Sequence, residues 1–196
     1  TESQPLDVDL GTLDYRLIQE DGLTYVSLRS LVSGTYDNML ARYALEGAKA
    51  RGSKAVIYDL RGNVGGSDSW PRKWIQSFLG TQNSIETSML YAQKNSALFA
   101  VENSESLLPE DEGTCFAREV HGTWYENDIP IIVLVDDHCG SSGEGAVQLL
   151  KTLDNVLIVG SNTAGYQLCG NISTFTLPYT GIGVRFGSTL FLYGDG

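Results

Sequence analysis

The pattern of apolar and polar residues predicts two buried strands, each followed by a glycine-rich loop and a helix. The first strand covers residues 55–60, and the second is a β-branched run at residues 129–135. Such runs are typical of a sheet that is covered on both faces. Apolar residues return at helical spacing around residues 74–79 and 146–153. Two strand-loop-helix units indicate an open α/β sheet, whose sites lie beyond the carboxyl ends of its strands.

The rest of the chain is organised around these two units. A helix is expected over residues 37–50, closed by Gly52, and a first core strand near residues 24–28. An acidic segment at residues 102–112 has little periodicity and is expected to be exposed. After Cys169 the sequence is typical of β-hairpins, with three short strand-like runs at residues 173–177, 182–186 and 189–192.

Composition narrows the class of protein. With 196 residues and 42% hydrophobic residues, the chain is expected to form a single domain over residues 1–196. It contains 13 Lys and Arg against 24 Asp and Glu, a net charge of -11. This charge disfavours nucleic acid and anionic membranes as partners, because phosphate binding needs clustered cations. No apolar run is long enough to suggest an integral membrane segment.

Cofactor and metal sites are not indicated. The Gly65-Gly66 loop lacks the spacing of a dinucleotide site or of a phosphate loop, and the chain contains neither CxxC nor HExxH. Cys115, Cys139 and Cys169 cannot all pair with one another, and a bridge between Cys139 and Cys169 stays open.

The second loop places a hydroxyl group where a buried strand turns into a helix. Ser141 is expected at the start of the helix, whose unpaired N–H groups could stabilise an anion formed on a group that Ser141 attacks. Gly65 and Gly66 would allow a second backbone N–H to approach from the other loop. Each feature also has a structural interpretation, because serine is a common helix cap and paired glycines often make tight turns.

Three segments resemble the signatures of one family, the S41 peptidases, which include the C-terminal processing (tail-specific) and tricorn-type proteases. Residues 59–66, DLRGNVGG, resemble the family's Asp-Leu-Arg-x-Asn-x-Gly-Gly. Residues 141–144, SSGE, resemble Ser-Ala-Ser-Glu, and residues 159–165, VGSNTAG, are similar to Val-Gly-Glu-x-Thr-x-Gly. The matches follow in the family's order, and the resemblance covers the chain from about residue 23 to its end. It implies a layered α/β core shared with the crotonase and Clp-protease folds.

The resemblance also implies roles for individual residues. Ser141 would be the nucleophile, and the oxyanion hole would be formed by the backbone N–H of Ser142 and by that of Gly65 or Gly66. Glu144 is expected to cap its helix and interact with the helix dipole. Arg61 and Asn63, also in the matched segments, are expected to brace their loop. The family's habit implies export to the cell envelope or the exterior.

The general base is where this sequence departs from the family. In the tail-specific branch a lysine follows the Thr-x-Gly motif, but here that position is Tyr166, whose phenol has too high an ordinary pKa for the role. Tricorn-type enzymes use a histidine from upstream of the core and a glutamate from beyond the last strands. Of the two histidines here, His121 is expected at the surface, while His138, three residues before Ser141, is a candidate base. Because the chain starts without methionine and stops after an apparent strand, we expect an excised core with its base outside.

Two classes of function follow. The first is a serine endopeptidase that cleaves near accessible C-termini or in unfolded segments through an acyl-enzyme on Ser141. The second is an inactive relative that binds peptides, for example by adding a strand to a sheet edge. An acyl-CoA enzyme of similar architecture fits less well, because its chemistry does not need the serine at this turn. Both favoured classes make a peptide or protein the partner and need no cofactor.

Overall fold

A computed structural model of the chain describes residues 16–34, 37–102 and 109–194. These residues form two sheets and four α-helices. The strands are β1 (Arg16–Glu20), β2 (Leu23–Ser27), β3 (Ala55–Asp59), β4 (Met89–Lys94), β5 (Cys115–Val120), β6 (Ile131–Val135), β7 (Val156–Gly160), β8 (Cys169–Thr176) and β9 (Gly183–Tyr193). The helices are α1 (Asp37–Ala50), α2 (Ser69–Leu79), α3 (Ala97–Glu102) and α4 (Ser142–Leu150). Mixed α/β architecture is confirmed.

The first sheet has the strand order β1-β2-β3-β6-β7. Its strands are parallel except for β1, which pairs antiparallel with β2. The two strands predicted from the apolar runs, β3 and β6, are neighbours near its centre. Each is followed along the chain by a helix, α2 after β3 and α4 after β6, as the two strand-loop-helix units predicted.

The hydrophobic core lies between this sheet and its helices. Tyr43 of α1, Tyr58 of β3 and Trp74 of α2 are fully buried and belong to one cluster. The Trp74 ring meets the Tyr58 ring edge-on, with centroids 4.9 Å apart. Gly47 lets α1 approach α2 closely, because a Cβ atom there would lie 2.2 Å from the backbone oxygen of Trp74. Burial of these large rings stabilises the sheet edge that carries the loops.

The second sheet is antiparallel and has the strand order β5-β4-β9-β8. The predicted C-terminal hairpin is present as β8 paired with β9. The two short runs predicted at residues 182–186 and 189–192 are one continuous strand, β9. That prediction was wrong because Gly187 and Ser188 look like a turn in the sequence, whereas Gly187 pairs with Ile172 within the ladder. Strands β1, β4 and β5 were not predicted.

The acidic segment lies partly outside the described residues. Its start belongs to the end of α3, and residues 109–111 form a short 3-10 helix. Asp111 and Glu112 are exposed, as expected of this segment. Among the described helices, none combines the length and the apolar composition that crossing a bilayer requires.

Candidate active site

The two glycine-rich loops meet at one edge of the five-stranded sheet. Strands β3 and β6 run parallel, with Asp59 opposite Leu134, so the loops that follow them leave at the same edge. The backbone N–H of Gly140 donates to the carbonyl oxygen of Asn63 at 2.9 Å and joins the loops directly. Four residues singled out in the sequence lie at this junction: Gly65, Gly66, Ser141 and Ser142.

Ser141 lies on a sharp turn between β6 and α4. Its backbone has φ 54° and ψ -125°, a conformation that a residue with a side chain rarely adopts. The side chain is half-buried, and its backbone N–H donates to Glu144 Oε2 at 2.8 Å. The hydrogen bond to Glu144 holds the turn in this unfavourable conformation. The next residue, Ser142, is the first of α4, so its N–H has no acceptor within the helix.

Gly65 packs directly against this turn. Its φ is 99°, and a Cβ atom there would lie 2.7 Å from Ser141 Cβ and 3.0 Å from the backbone nitrogen of Ser142. A side chain would force the two loops apart, so the site requires glycine at this position. The N–H of Gly65 donates to Asn63 Oδ1 at 2.9 Å.

Gly66 contacts Leu31 on one side and Ser142 on the other. Leu31 forms a parallel bridge with it, in which the N–H of Leu31 donates to the oxygen of Gly65 at 2.8 Å. In such a bridge the N–H and C=O of Gly66 itself point away from Leu31. Its C=O accepts from the hydroxyl of Ser142 at 2.9 Å, on the α4 side. The N–H of Gly66 has no hydrogen-bond partner among the described residues.

Asn63 connects the loops to a third segment. It is fully buried, and its Nδ2 donates to the carbonyl oxygen of Leu28 at 2.8 Å. Its Oδ1 and its backbone oxygen accept from Gly65 and Gly140, so its amide and backbone bonds reach three parts of the chain. A Cβ atom on Gly143 would lie 2.8 Å from the Asn63 backbone oxygen, which leaves room only for glycine. The expectation that Asn63 braces its loop agrees with these contacts.

Asp59 anchors the same loop through ion pairs and hydrogen bonds. Its carboxylate is buried and accepts hydrogen bonds from Arg61 at 2.8 Å and from Tyr25 at 2.7 Å. Arg29 contributes a further bond at 3.2 Å. Burial alone would raise the pKa of Asp59, but the bonds from Arg61, Arg29 and Tyr25 outweigh it and hold the pKa well below its usual range.

Glu144 does more than the predicted capping. Its buried carboxylate accepts from Ser141 N, from Thr163 Oγ1 at 2.6 Å and from Gly165 N at 2.7 Å. A fourth bond comes from the backbone N–H of Tyr166 at 2.8 Å. Glu144 therefore fastens the third segment of the resemblance, which follows β7, to the Ser141 turn. The sequence indicates this contact only through the joint presence of the two motif segments, residues 141–144 and 159–165. The spacing within either segment does not indicate it.

The candidate general bases make no described side-chain contact with Ser141. His138 is exposed, and its Nδ1 lies 2.8 Å from Asp137 Oδ1. The Tyr166 ring is also exposed and packs over Gly140, where a Cβ atom would lie 3.0 Å from the ring. No described contact joins the side chain of His138 or Tyr166 to Ser141 Oγ. His121 is exposed on the segment after β5, as expected.

Cysteine contributes no bridge to the site. Cys139 is buried and Cys169 is exposed, and both have free thiols. Burial, with smaller effects of Glu144 and Asp136, raises the pKa of Cys139 to about 12. The thiol therefore stays protonated beside the serine, and Cys139 acts as a packing residue.

The sequence matches the profile of Peptidase family S41 over residues 22–192. The chain belongs to the S41 peptidase family. The matched span includes all three segments on which the resemblance was based, and the architecture is that of S41 proteases. A comparison with curated proteins found no match.

Solved structures of similar fold agree with the family assignment. A Parabacteroides merdae ATCC 43184 protein, proposed to be a peptidase, is 24% identical, with a TM-score of 0.53, and the match covers 91% of this chain and 51% of that one. A lipoprotein from Streptococcus agalactiae is 20% identical, with a TM-score of 0.52 and coverages of 93% and 60%. The photosystem II D1 C-terminal processing protease is 17% identical, with a TM-score of 0.51 and coverages of 87% and 38%. This chain thus spans between 38% and 60% of their lengths.

Three polar contacts of the candidate site were not anticipated from the sequence. They are the hydroxyl bond of Ser142 to Gly66, the bonds of Glu144 beyond its own helix, and the approach of Asp68 to α4. Each joins segments that lie far apart in the chain. The only local signal was the presence of these polar residues within or beside the glycine-rich motifs.

Proposed function

We propose that this protein is a serine endopeptidase that cleaves peptide bonds through an acyl-enzyme on Ser141. The observation that carries the proposal is the strained, half-buried Ser141 turn, which packs against Gly65 and is adjoined by Gly66 and Ser142, whose N–H groups have no acceptor among the described residues. Strain of this kind persists only where the surroundings impose it and is common at active sites. Two unpaired donors beside a hydroxyl group suit a tetrahedral oxyanion.

The reaction would proceed in two steps. Ser141 Oγ attacks the carbonyl carbon of the scissile peptide, its proton passes to a general base, and the carbonyl oxygen becomes an oxyanion. The N–H groups of Gly66 and Ser142 would stabilise that oxyanion. The C–N bond then breaks, the amine takes the proton from the base, and water hydrolyses the acyl-enzyme. We assign the loop donor to Gly66 because the N–H of Gly65 is already bonded to Asn63.

We further propose that the general base is a histidine outside this chain, assisted by a glutamate that also lies outside it. Tyr166 occupies the position of the family's lysine, yet its ring lies on Gly140 and is exposed. Tyr166→Phe in the full-length protein should therefore change kcat by less than about twofold, since the phenol has no part in proton transfer. A large loss in this variant alone would contradict the assignment. His138 remains the first alternative.

Labelling tests the nucleophile directly. In the full-length protein, a serine-directed phosphonate should modify Ser141, while Ser141→Ala should remain unmodified and should lose peptide cleavage by about a thousandfold or more. Peptide affinity should stay nearly unchanged, because the hydroxyl acts mainly in the transition state. Ser188→Ala, which removes a hydroxyl from the second sheet, is the matched control and should cleave normally. Cleavage that persists in Ser141→Ala would exclude the proposal.

The second candidate is a peptide-binding protein without activity. The tyrosine at the position of the lysine favours it, as does the absence of any described contact between a base and Ser141. It predicts that the full-length protein binds unfolded peptides but shows no Ser141-dependent cleavage at any pH.

The substrate class and the place of action extend the main proposal. We infer a preference for accessible C-termini or unfolded segments, and action in the cell envelope or outside the cell. The family and the fold shared with a C-terminal processing protease and a lipoprotein support this inference. Cell fractionation of the native host, followed by cleavage assays with tailed and blocked peptides, would test it.

A further inference from the structure

Strand β7 is the last strand of the five-stranded sheet, and no described strand pairs with its outer side. Natural sheets usually protect such an edge with charged residues, proline or a bulge. The sequence of β7, VLIVG, contains neither a charge nor a proline, and Leu157, Ile158 and Val159 are all exposed. This edge is therefore open to pairing with another extended chain.

The ladder with β6 determines which backbone groups of β7 face outward. The N–H of Ile131 donates to the carbonyl oxygen of Asn155 at 2.9 Å, and Ile131 lies opposite Val156. Because bonding alternates along a parallel strand, Leu157 directs its N–H and C=O toward β6. Val156 and Ile158 direct theirs outward, where an added strand would bond to them.

A groove with a volume of about 610 Å³ lies beside this edge, between β7 and α4. Val156 and Ile158 line it from the strand, and Gln148 and Lys151 line it from the helix and its end. Its volume is in the range of ligand-binding pockets. A chain added to β7 would therefore have space for the side chains on this face.

The groove combines an aromatic ring with a cation. Trp124 lines it with an exposed ring, and the Trp124 Nε1 donates to Asp154 Oδ1 at 2.6 Å. Lys151 is exposed and makes no ion pair among the described residues. Asp154, the acidic residue nearest to Lys151 along the chain, is engaged by Trp124. A cation beside apolar side chains suits a carboxylate on an otherwise apolar ligand.

Both walls of the groove run between the two edges of the sheet. Helix α4 begins at the Ser141 edge and has 9 residues, so Lys151 lies about 13 Å from that edge along the helix axis. Strand β7 returns to the Ser141 edge, because it is parallel to β6. An extended chain advances about 3.3 Å per residue, so about four to five residues span the distance.

The charges favour a peptide over a second copy of this chain as the occupant. Each copy carries a net charge of -11, which opposes self-association through an uncharged edge. The C-terminus of a peptide supplies one carboxylate for Lys151. The peptide backbone supplies the donors and acceptors that complete the edge.

We propose that the outer edge of β7 and the adjoining groove dock the C-terminal segment of an extended, apolar peptide. The terminal carboxylate binds Lys151, and the peptide runs antiparallel to β7, because Lys151 lies where β7 begins. Alternate side chains enter the groove beside Ile158, and the others lie beside Leu157 on the opposite face. The choice of a peptide rests on the proposed function. The Ser141 edge then lies about four to five residues upstream of the peptide's C-terminus.

The first test measures binding without turnover, in the Ser141→Ala variant of the full-length protein. The probe is fluorescein-labelled Gly-Ser-Ala-Val-Ala-Leu-Ala, made as the free acid and as the C-terminal amide, and fluorescence anisotropy gives its Kd. The acid should bind about three- to fivefold more tightly at low salt, as expected of an exposed ion pair, and the difference should shrink at high salt.

An added Lys151→Met substitution should remove this difference, since methionine keeps the apolar stem without the charge. Lys94→Met is the matched control and should keep it, because Lys94 is exposed at the end of β4 that is distant from the groove. Equal Kd values for acid and amide before Lys151 is changed would overturn the proposal. A preference for the acid that persists in Lys151→Met would also overturn it.

The second test examines strand pairing by methylating the peptide backbone. Only alternate N–H groups of an added strand face β7. Methylation of one alternate set should weaken binding by about tenfold or more, and methylation of the other set by less than about twofold. Equal losses from both sets would exclude strand addition. Dimerisation in sedimentation experiments that Ile158→Lys abolishes would assign the edge to a second copy and reject the proposal.

Cleavage in the full-length protein separates the docking site from the proposed function. For peptides with two to eight residues after the scissile bond, kcat/KM should be highest with about four to five, and Lys151→Met should flatten this dependence. Lysine-dependent preference for the acid, in a protein without Ser141-dependent cleavage, would support the docking site and reject the proposed function. An active enzyme whose length dependence is unchanged in Lys151→Met would reject the docking site and leave the proposed function standing.

Discussion

The Ser141 edge of the five-stranded sheet differs from the four-stranded sheet in the surroundings of its side chains. At the Ser141 edge, buried Asp59, Asn63 and Glu144 each have several hydrogen-bond partners, and the strands carry the hydrophobic core. The four-stranded sheet contributes no residue to that core cluster within the described chain. It exposes large apolar side chains instead, among them Leu90, Phe116, Ile172, Phe175, Phe186, Leu190 and Leu192.

Under the proposed function, the Ser141 edge is the region that must be rigid. Oxyanion donors act only when they are held in position before the reaction, and buried, fully bonded polar networks supply that rigidity. A sheet held together by ladder bonds and by ring pairs such as Tyr91 and Phe191 has no such requirement. Substitutions should therefore cost far more free energy of unfolding at the Ser141 edge than in the second sheet.

Gly66→Val should give the largest effect. A Cβ atom at Gly66 would lie 2.0 Å from the backbone of Leu31, and φ is 142°. Overpacking against the backbone together with conformational strain should cost about 4 kcal/mol or more. Urea unfolding measures this loss. Gly183→Ala in β9 is the control, because a Cβ atom there meets nothing within 4 Å and φ is not strained; equal losses in the two variants would remove the contrast.

Asp59→Asn should destabilise the protein by about 3 kcal/mol at neutral pH, because Arg29 and Arg61 lose the charge that compensates them. The depressed pKa of Asp59 stabilises the fold above the ordinary carboxyl pKa of about 3.9, and that contribution is lost as pH falls below it. The variant should therefore lose less stability on acidification than the wild type. Unfolding midpoints measured from neutral to acid pH test this, and parallel curves would assign the acid sensitivity to other groups.

Asn63→Ala should cost about 2 kcal/mol, since it leaves the Leu28 oxygen and the Gly65 N–H buried without partners. Asn95→Ala, which removes an exposed bond to Thr114 just beyond the ends of β4 and β5, should change stability by less than about 0.5 kcal/mol. The same unfolding assay measures both variants. A loss at position 95 that matches the loss at position 63 would show that burial does not decide the cost.

Leu190→Thr should have the smallest effect. The side chain is 39% exposed on β9, and threonine favours strands, so the change should stay below about 1 kcal/mol. Leu60→Ala, at a fully buried position of the Asp59 loop, should cost about 2 to 5 kcal/mol. A large loss at Leu190 would mean that the exposed face of the second sheet is covered in the folded protein.

Local patterns determined the central part of this fold. The apolar runs of β3 and β6, the helical spacing after them and the glycine pair could be interpreted one segment at a time, because periodicity and turn chemistry depend on neighbours in the chain. The three motif segments then sufficed to predict the S41 family. The C-terminal hairpin was predicted for the same reason, although β9 proved continuous.

Tertiary structure alone decided the contacts between segments. Strands β4 and β5 pair with each other, and β4 joins them to β9, which lies far along the chain. Their own sequences carry no clear alternation. The choice of Gly66 over Gly65 as the free donor depends on the Asn63 side chain and on Leu31. The close approach of α4 to the uncapped Asp68 side chain is likewise a contact between distant segments. Hydrogen-bond partners and burial depend on which loops the strand order brings together, and no local pattern records that order.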